Sequence, residues 1–427
     1  MAKQIVQPVK GTRDFYPEQM AFRNWLYGKV KEISERFGYQ EYDGPEIEYV
    51  DLYANKTNQE ILSQQIFTLK DRDGKLLALR PELTPTFARM VAQKSQQLPK
   101  PIRWFSFGRM WRYEQPQKGR GREFFQWEIN ILGPESPEAD AEILAIAAEY
   151  FKTLGLTPQE VVIRVSDREF MQKELRSFGI SEEQIAPAFR VIDRKEKIDP
   201  SEFRRDLEEV GLSKSQTQSI ESLLTEKDYS QSPWLKEVFA SLKLYEGALD
   251  YIEFDPTIVR GFDYYTRTVF EAWDKTGQLK RSIFGGGRFD NLTAQIGGER
   301  VPGIGMAPGD MPTQVVLEQF NKMPDLTPKT AQVLVTVFAK NLYSNSLQTA
   351  DKLRSQNIDT EIWLDTDSRL DKQLKYADQK GIPFCLIIGP EEVEKGVVTL
   401  KDLKSKTQTT LTLDEAVSKL SRSTTKS

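Results

Sequence analysis

Apolar and polar residues alternate on both sides of a short loop in the segment 102–132. The first part, 102–113, is rich in tryptophan and phenylalanine, which favour extended structure, and it predicts a strand. The loop, 114–121, combines Pro116 with two glycines and two basic residues, a composition typical of a mobile arm. The alternation resumes over 122–132. Together these parts predict a β-hairpin with a basic loop.

The second strand of this hairpin has two chemically different faces, because successive side chains of a strand point to opposite sides. One face carries the polar residues Arg122, Gln126, Glu128 and Asn130. The other face carries the apolar residues Phe125, Trp127, Ile129 and Ile131. A hairpin with one solvated face is the simplest interpretation. We prefer a small-molecule site on the sheet, because the polar face mixes a cation, a carboxylate and two amides, and aromatic side chains back it.

The remaining periodicities predict an α+β fold in two domains, 1–325 and 326–427. Helical stripes and short strands are predicted at 18–37, 65–69, 76–79, 86–95, 136–155 and 161–167. The charged, helix-favouring segment 168–245 predicts a helical insertion in the first domain. After the proline-bearing linker 321–330, strands and helices alternate, which predicts a small α/β domain around a mixed sheet.

Composition is that of a globular protein. Of the 427 residues, 39% are hydrophobic and 29% are charged, and no apolar run approaches the length of a membrane span. The N-terminal residues show no hydrophobic signal region, and the single cysteine, Cys385, argues against a disulfide framework. We therefore expect a cytoplasmic protein with no membrane partner. The net charge of −4 speaks against a wholly basic nucleic-acid binder but leaves room for local basic patches.

The chain contains no histidine. This excludes the Ser-His-Asp and Cys-His arrangements and almost every structural zinc site. Any acid–base step must therefore use carboxylates, tyrosines, lysines, water or a phosphate of the substrate.

The hairpin resembles part of a known family. Arg112-Tyr113-Glu114 and the run 122–126 resemble motif 2 of the class II aminoacyl-tRNA synthetases, and the loop 115–120, Gln-Pro-Gln-Lys-Gly-Arg, narrows the resemblance to the histidyl-tRNA synthetase family. Further segments agree, namely 38–53 with motif 1, 80–86 with the RPE-x-T element, 255–273 with the histidine-specific signature and 370–403 with the anticodon-binding domain. The resemblance implies an antiparallel-sheet class II catalytic domain, a C-terminal α/β anticodon-binding domain and a homodimer.

The resemblance also implies a reaction, the ATP-dependent ligation of L-histidine to tRNA(His) through a histidyl-adenylate. Mg²⁺ would enter with ATP, and no metal ligand is assigned in the protein. Arg112 and Arg260 would be the catalytic residues on the α-phosphate, and ATP would also contact Glu114, Arg122 and Arg288. The residues expected to hold histidine are Glu82, Thr84, Gln126, Asn130, Arg260, Tyr264 and Tyr265. The two tyrosines are expected to face opposite sides of a strand.

The chain departs from the family pattern in motif 3. Gly309-Asp310 stands where the family has Glu-Arg, whose arginine binds the terminal phosphates of ATP. Removing one preorganised charge costs roughly a hundred- to a thousandfold in rate, so Arg288, Arg300 or another cation compensates, or activity is impaired. Two smaller departures are Asn130 in place of an acid and Phe289 in place of a tyrosine.

Two other functions stay open at this point. One is the regulatory paralogue that senses histidine for ATP phosphoribosyltransferase, which typically lacks the anticodon domain. The other is a catalytically weak, synthetase-like tRNA sensor, which the departure at 309–310 favours. The absence of histidine adds a hypothesis, because a histidine-free synthetase can be translated when charged histidyl-tRNA is scarce. Compositional drift is the alternative explanation.

Overall fold

The structure is a computed structural model that describes residues 5–53, 65–260, 264–326, 328 and 330–423. It divides into two compact units, Met1–Leu326 and Thr327–Ser427. Residues 261–263, which belong to the segment that resembles the histidine-specific signature, lie outside the described residues.

The first unit combines two sheets with ten helices among its described residues. In chain order its elements are α1 (Pro17–Arg36), β1 (Gln40–Glu41), β2 (Ile47–Tyr49), β3 (Thr68–Lys70), β4 (Leu76–Leu79), α2 (Thr84–Lys94), β5 (Ile102–Trp111), β6 (Glu123–Leu132), α3 (Pro137–Thr153), β7 (Val161–Asp167), α4 (Arg168–Ser177), α5 (Glu182–Ile192), α6 (Pro200–Glu209), α7 (Lys214–Leu223), α8 (Pro233–Leu242), β8 (Ile252–Phe254), β9 (Thr268–Asp274), β10 (Phe284–Arg288), α9 (Leu292–Gln295), β11 (Gly303–Met306) and α10 (Asp310–Gln319).

The main sheet has eight strands, in the order β1-β5-β6-β11-β10-β9-β7-β8. All pairs between β5 and β7 are antiparallel, and only the edge strands β1 and β8 pair in parallel with their neighbours. A smaller antiparallel sheet has the order β2-β4-β3. The antiparallel-rich sheet and its flanking helices confirm the predicted α+β class.

The predicted hairpin is formed by β5 and β6, which pair along their whole length, with Gly108 opposite Gln126. Trp127, Ile129 and Ile131 are buried in the main core, where the apolar helix α3 covers them. The indole Nε1 of Trp127 donates to Ser34 Oγ of α1 at 3.1 Å, so its polar atom is satisfied inside the core. The apolar side of β6 is therefore the buried face of the sheet, and its polar side is left for a site.

Helices α4 to α7 form a module with its own core, which includes Phe189, Leu207 and Ile220. Asp199 is the N-cap of α6, and its carboxylate accepts from the backbone amides of Ser201 and Glu202. Helix α8 differs, because it packs against α3 and buries Leu235 in the main core. The module therefore ends before α8, short of the predicted limit at residue 245.

The second unit is a small α/β domain. Its elements are β12 (Val333–Val335), α11 (Tyr343–Ser355), β13 (Thr360–Ile362), α12 (Leu370–Lys380), β14 (Phe384–Ile387), α13 (Pro390–Lys395), β15 (Val398–Asp402), β16 (Thr407–Leu411) and α14 (Leu413–Ser423). Its sheet is mixed, as predicted: β13, β12 and β14 are parallel, whereas β14, β15 and β16 are antiparallel. Cys385 is fully buried in β14 and is part of the core of this unit.

A further property concerns membranes. None of the described helices is both long enough and apolar enough to cross a lipid bilayer.

Candidate active site

A cavity of about 1030 Å³, including its open mouth, lies on the polar side of the main sheet. It brings together nine of the eleven residues predicted to bind substrates: Glu82, Thr84, Arg112, Glu114, Gln126, Asn130, Arg260, Tyr264 and Tyr265. These residues come from the start of α2, the β5–β6 hairpin and the segment before β9. Separated by up to 183 positions in the chain (82 to 265), they converge because the central strands of the sheet are neighbours.

One part of the cavity is formed by buried groups suited to an amino acid. The hydroxyl of Tyr264 donates to Glu82 Oε2 at 2.9 Å. Burial, and then the negative charge of Glu82, hold the pKa of Tyr264 well above its usual value, so the hydroxyl remains a donor at neutral pH. The two tyrosine rings lie 4.8 Å apart and both line the cavity. The prediction that they face opposite sides of a strand is wrong, because both precede β9 and neither belongs to a strand.

The amide groups of β6 are fixed by neighbours. Gln126 Nε2 donates to the carbonyl of Ala307 at 2.9 Å, and Asn130 Nδ2 donates to Glu128 Oε1 at 2.9 Å. Because each amide nitrogen is engaged, the amide oxygens are oriented acceptors. A side chain at Gly305 would clash with the Asn130 amide, so the glycine of β11 allows the two strands to approach here.

Glu128 lies behind Asn130 and is almost completely buried. Burial raises its pKa to about 8, and the nearby Glu82 adds to this effect. The alternation of β6 predicted that Glu128 lies on the polar face, but it did not indicate that the side chain is buried. Its carboxyl orients Asn130, and Asn130 in turn lines the cavity.

The catalytic arginines predicted from the sequence both line the cavity. Arg112 donates from Nε to the carbonyl of Pro81 at 2.9 Å, which fixes its guanidinium near the RPE-x-T element. Arg260 has a φ of 57°, in the left-handed region, and pairs with Glu271 of β9. A side chain at Gly285 would clash with the guanidinium of Arg260. The glycine run of β10 therefore makes room for this cation.

Arg122 and Arg288, both predicted to contact ATP, are not among the described residues that line the cavity. The Cζ atom of Arg122 lies 4.0 Å from the centroid of the Tyr113 ring, and its Nε donates to the carbonyl of Glu114 at 3.1 Å. Arg122 therefore packs against the hairpin loop and not into the cavity. Arg288 is fully buried, with Nη2 at 2.6 Å from Asp140 Oδ1 and Nη1 at 2.9 Å from Asp290 Oδ1. Its charge is neutralised inside the protein.

Arg300, the other cation proposed to compensate for motif 3, is also engaged elsewhere. Both of its terminal nitrogens donate to Glu135 at 2.7 Å, on the surface. Asp310 is itself buried, and it accepts from Arg13 Nη2 at 2.7 Å and from the backbone amide of Phe125 at 2.9 Å. Asp310 is therefore part of an internal ion pair.

The sequence interpretation missed two arginines that line the cavity, Arg120 and Arg281. Arg120 belongs to the basic loop of the hairpin and pairs with Glu114. Arg281 belongs to the segment before β10 and donates from Nη1 to the carbonyl of Gly119 at 3.2 Å. The one available signal was the basic pair Lys280-Arg281 immediately before the glycine run.

Family models and known proteins match this chain over most of its length. A family model described as histidyl-tRNA synthetase matches residues 11–309, and one described as anticodon binding domain matches residues 332–423. The chain is 38% identical to a histidine--tRNA ligase of Leptospira biflexa over 98% of both chains. It is 35% identical to a histidine--tRNA ligase of Halobacterium salinarum, over 94% of this chain and 95% of the relative.

A solved structure shows the same fold. The histidyl-tRNA synthetase from Nostoc sp. PCC 7120 superposes with a TM-score of 0.78 at 25% identity, covering 98% of this chain and 99% of the other. The motifs, the fold and the full-length similarity lead to one conclusion: this chain belongs to the histidyl-tRNA synthetase family.

Proposed function

We propose that the protein ligates L-histidine to tRNA(His), using ATP and passing through a histidyl-adenylate. The observation that carries the proposal is the single cavity that holds both the Glu82–Tyr264 pair and the two arginines, Arg112 and Arg260. A carboxylate with tyrosine hydroxyls suits the ammonium and imidazole of histidine, and arginines suit a phosphate.

In the first step a carboxylate oxygen of histidine attacks the α-phosphorus of ATP. The bond between that phosphorus and the oxygen bridging to the β-phosphate breaks, and pyrophosphate leaves with the electron pair. Arg112 and Arg260 stabilise the charge that spreads over the α-phosphate oxygens. The step is positioning and charge stabilisation, and it needs no base, which agrees with a chain that has no histidine.

In the second step a hydroxyl of the terminal adenosine of tRNA attacks the carbonyl carbon of the adenylate. AMP leaves with the bonding electron pair, and its phosphate can accept the proton of the attacking hydroxyl. The basic loop 114–121 borders the cavity through Gly119 and Arg120 and is the candidate contact for the acceptor end. The second unit, which matches the anticodon-binding family, is the candidate site for the anticodon.

Histidine is held at both of its ends. Glu82, Thr84 and Gln126 bind the α-ammonium group, while Tyr264, Tyr265 and Asn130 surround the ring. Asn130 presents an oriented amide oxygen, because its nitrogen is committed to Glu128. Buried hydrogen bonds to ring nitrogens reject apolar amino acids by as much as about ten-thousandfold, since such competitors leave the site's polar groups unpaired.

Two components of the proposal rest on the family rather than on the cavity. The homodimer follows from the resemblance of segment 38–53 to motif 1. Mg²⁺ enters with ATP as part of the substrate. Within the described residues no group of three or more aspartate, glutamate or cysteine side chains is placed to hold a metal ion.

The catalytically weak tRNA sensor is the second candidate, and one observation favours it: Asp310 stands where the family has an arginine. Histidine-dependent exchange of pyrophosphate into ATP separates the two functions. We expect exchange by the wild-type protein that requires histidine, and its loss in Arg260→Ala. The matched control is Arg300→Ala, which changes a surface arginine paired with Glu135 and should retain exchange. A folded wild-type protein without exchange would exclude the synthetase function.

A further inference from the structure

The cavity has an excess of positive charge at its walls. Among the described residues, four arginines line it, at positions 112, 120, 260 and 281, against two glutamates, at positions 82 and 114. Arg120 is paired with Glu114, and Arg260 is paired with Glu271. A site with unbalanced arginines is suited to a ligand with several negative charges, such as the phosphate chain of a nucleotide.

Arg281 is one of two cavity arginines that lack a salt-bridge partner among the described residues, the other being Arg112. The recorded hydrogen bond of Arg281 is the one to the carbonyl of Gly119. Burial, followed by repulsion from Arg120, lowers its pKa to about 10. A charged group that is buried among other cations is stabilised when an anion binds next to it.

The position of Arg281 is also informative. The Gly119 carbonyl that it contacts belongs to the hairpin loop, and a Cβ on Gly119 would lie 3.8 Å from the Cα of Pro312, in the first turn of α10. Position 310, where the family has its phosphate-binding arginine, begins the same turn. Arg281 thus reaches the neighbourhood of the missing arginine from a different element, the segment before β10.

The other candidate cations are committed elsewhere. Arg288 is neutralised by Asp140 and Asp290, and Arg300 is bound to Glu135. Arg13 lies near the start of α10, but its guanidinium pairs with Asp310. Among these four cations, Arg281 combines a place on the cavity wall with the absence of a salt bridge within the described residues. Arg112 shares both properties, and the proposed function already assigns it to the α-phosphate.

We propose that Arg281 binds the terminal phosphates of ATP and stabilises the departing pyrophosphate, in place of the arginine that motif 3 lacks. This inference rests on the proposed function, and it assigns the phosphate end of the same site. When the bond to the α-phosphorus breaks, the electron pair goes to pyrophosphate. The guanidinium then offsets the added charge, and the same contact accelerates the reverse attack of pyrophosphate.

The test compares nucleotides that differ only in their terminal phosphates. In Arg281→Gln we expect the Kd of ATP to rise at least about tenfold while the Kd of AMP stays unchanged, measured by titration calorimetry. We expect the rate of histidine-dependent exchange to fall by about a hundredfold or more, since the lost group is a preorganised charge stabiliser. The KM for histidine should stay within about twofold of wild type, and Arg300→Gln should behave as wild type in all three measurements.

Several outcomes would overturn the inference. Equal ATP affinity and equal exchange in Arg281→Gln would remove it, provided that the wild-type protein is active. Normal exchange with a loss of histidine transfer from preformed adenylate to tRNA would instead place Arg281 on the acceptor end. If the wild-type protein itself lacks exchange, the proposed function fails, and the ATP and AMP titrations still decide whether Arg281 binds the phosphates.

A second variant guards against loss of folding. Arg281→Lys keeps the positive charge but not the planar pair of donors. It should fall between wild type and Arg281→Gln in ATP affinity, with the melting temperature of each variant recorded. A lysine variant as weak as the glutamine variant, in a protein that is equally well folded, would count against a charge-based role.

Discussion

Arg13 and Asp310 form an ion pair of 2.7 Å between the N-terminal segment and the first turn of α10. Asp310 also accepts from the backbone amide of Phe125 at 2.9 Å, so its carboxylate joins three parts of the chain. Asp310 is therefore a structural contact, and an arginine at this position would break the pair.

We predict that Asp310→Arg, which restores the family residue, lowers stability and does not raise activity. It places a cation beside Arg13 and leaves the Phe125 amide without its acceptor. Breaking a buried pair in this way costs about 3–5 kcal/mol. Thermal or denaturant unfolding measures the loss, and Glu318→Arg on the exposed face of α10 is the matched control. A variant with unchanged stability and faster exchange would contradict the structural role of Asp310.

We predict that Tyr264→Phe weakens histidine binding. The change removes the hydroxyl that donates to Glu82 and leaves the ring in place. A lost buried hydrogen bond of this kind costs about 1–3 kcal/mol, or about 5- to 150-fold in affinity. The KM for histidine in the exchange reaction should rise within that range, while the KM for ATP changes little. Tyr49→Phe, on the exposed strand β2, serves as the control. If both variants keep the wild-type KM for histidine, Tyr264 does not contact the amino acid.

We predict a pH-dependent stabilisation by Glu128→Gln. The pKa of Glu128 is raised from 4.5 to about 8 in the folded protein. The folded state thus retains the proton between about pH 4.5 and 8, whereas the unfolded state has lost it. Stability from this group is fully present below pH 4.5 and is lost as the pH rises through 8.

Glu128→Gln has no carboxyl group to ionise at this position, so it does not lose stability in this way as the pH rises. Relative to wild type, its free energy of unfolding should be nearly equal at pH 5 and higher at pH 8.5. At about 1.36 kcal/mol per pKa unit the difference is on the order of 4 kcal/mol or less. Chemical denaturation at the two pH values measures it, with Glu208→Gln on the surface of α6 as the control. A stability difference that does not grow with pH would show that Glu128 is not protonated in the folded state.

We predict that Arg288→Met destabilises the fold and leaves ATP affinity in the surviving folded protein unchanged. The variant leaves the fully buried carboxylate of Asp140 without the guanidinium that neutralises it. A buried charge without its partner costs about 3–5 kcal/mol of stability. Unfolding experiments and ATP titration at low temperature separate the two effects. Weaker ATP binding without a loss of stability would return Arg288 to the phosphate site that the sequence first suggested.

Local pattern predicted most of the elements correctly. The bounds of β7, 161–167, agree with the sequence interpretation, and β5, β6 and α1 begin or end within two residues of it. These elements follow from periodicity and from turn residues, which act over a few positions. The tyrosine pair at 264–265 shows the limit of this approach. The residues suit a strand, but their tertiary contacts hold them in an irregular segment, where both face the cavity.

Arg281 and Arg288 lie on either side of the glycine run of β10. They show which features of the protein the sequence predicts and which depend on the tertiary structure. The sequence by itself determined the fold class and the family, because these depend on local periodicity and on motifs of adjacent residues. It could not decide which arginines line the cavity. That choice depends on Asp140, which lies 148 positions from Arg288 in the chain and neutralises it in the core. Arg281 meets no such partner among the described residues, because folding places it on the cavity wall near Arg112 and Arg120.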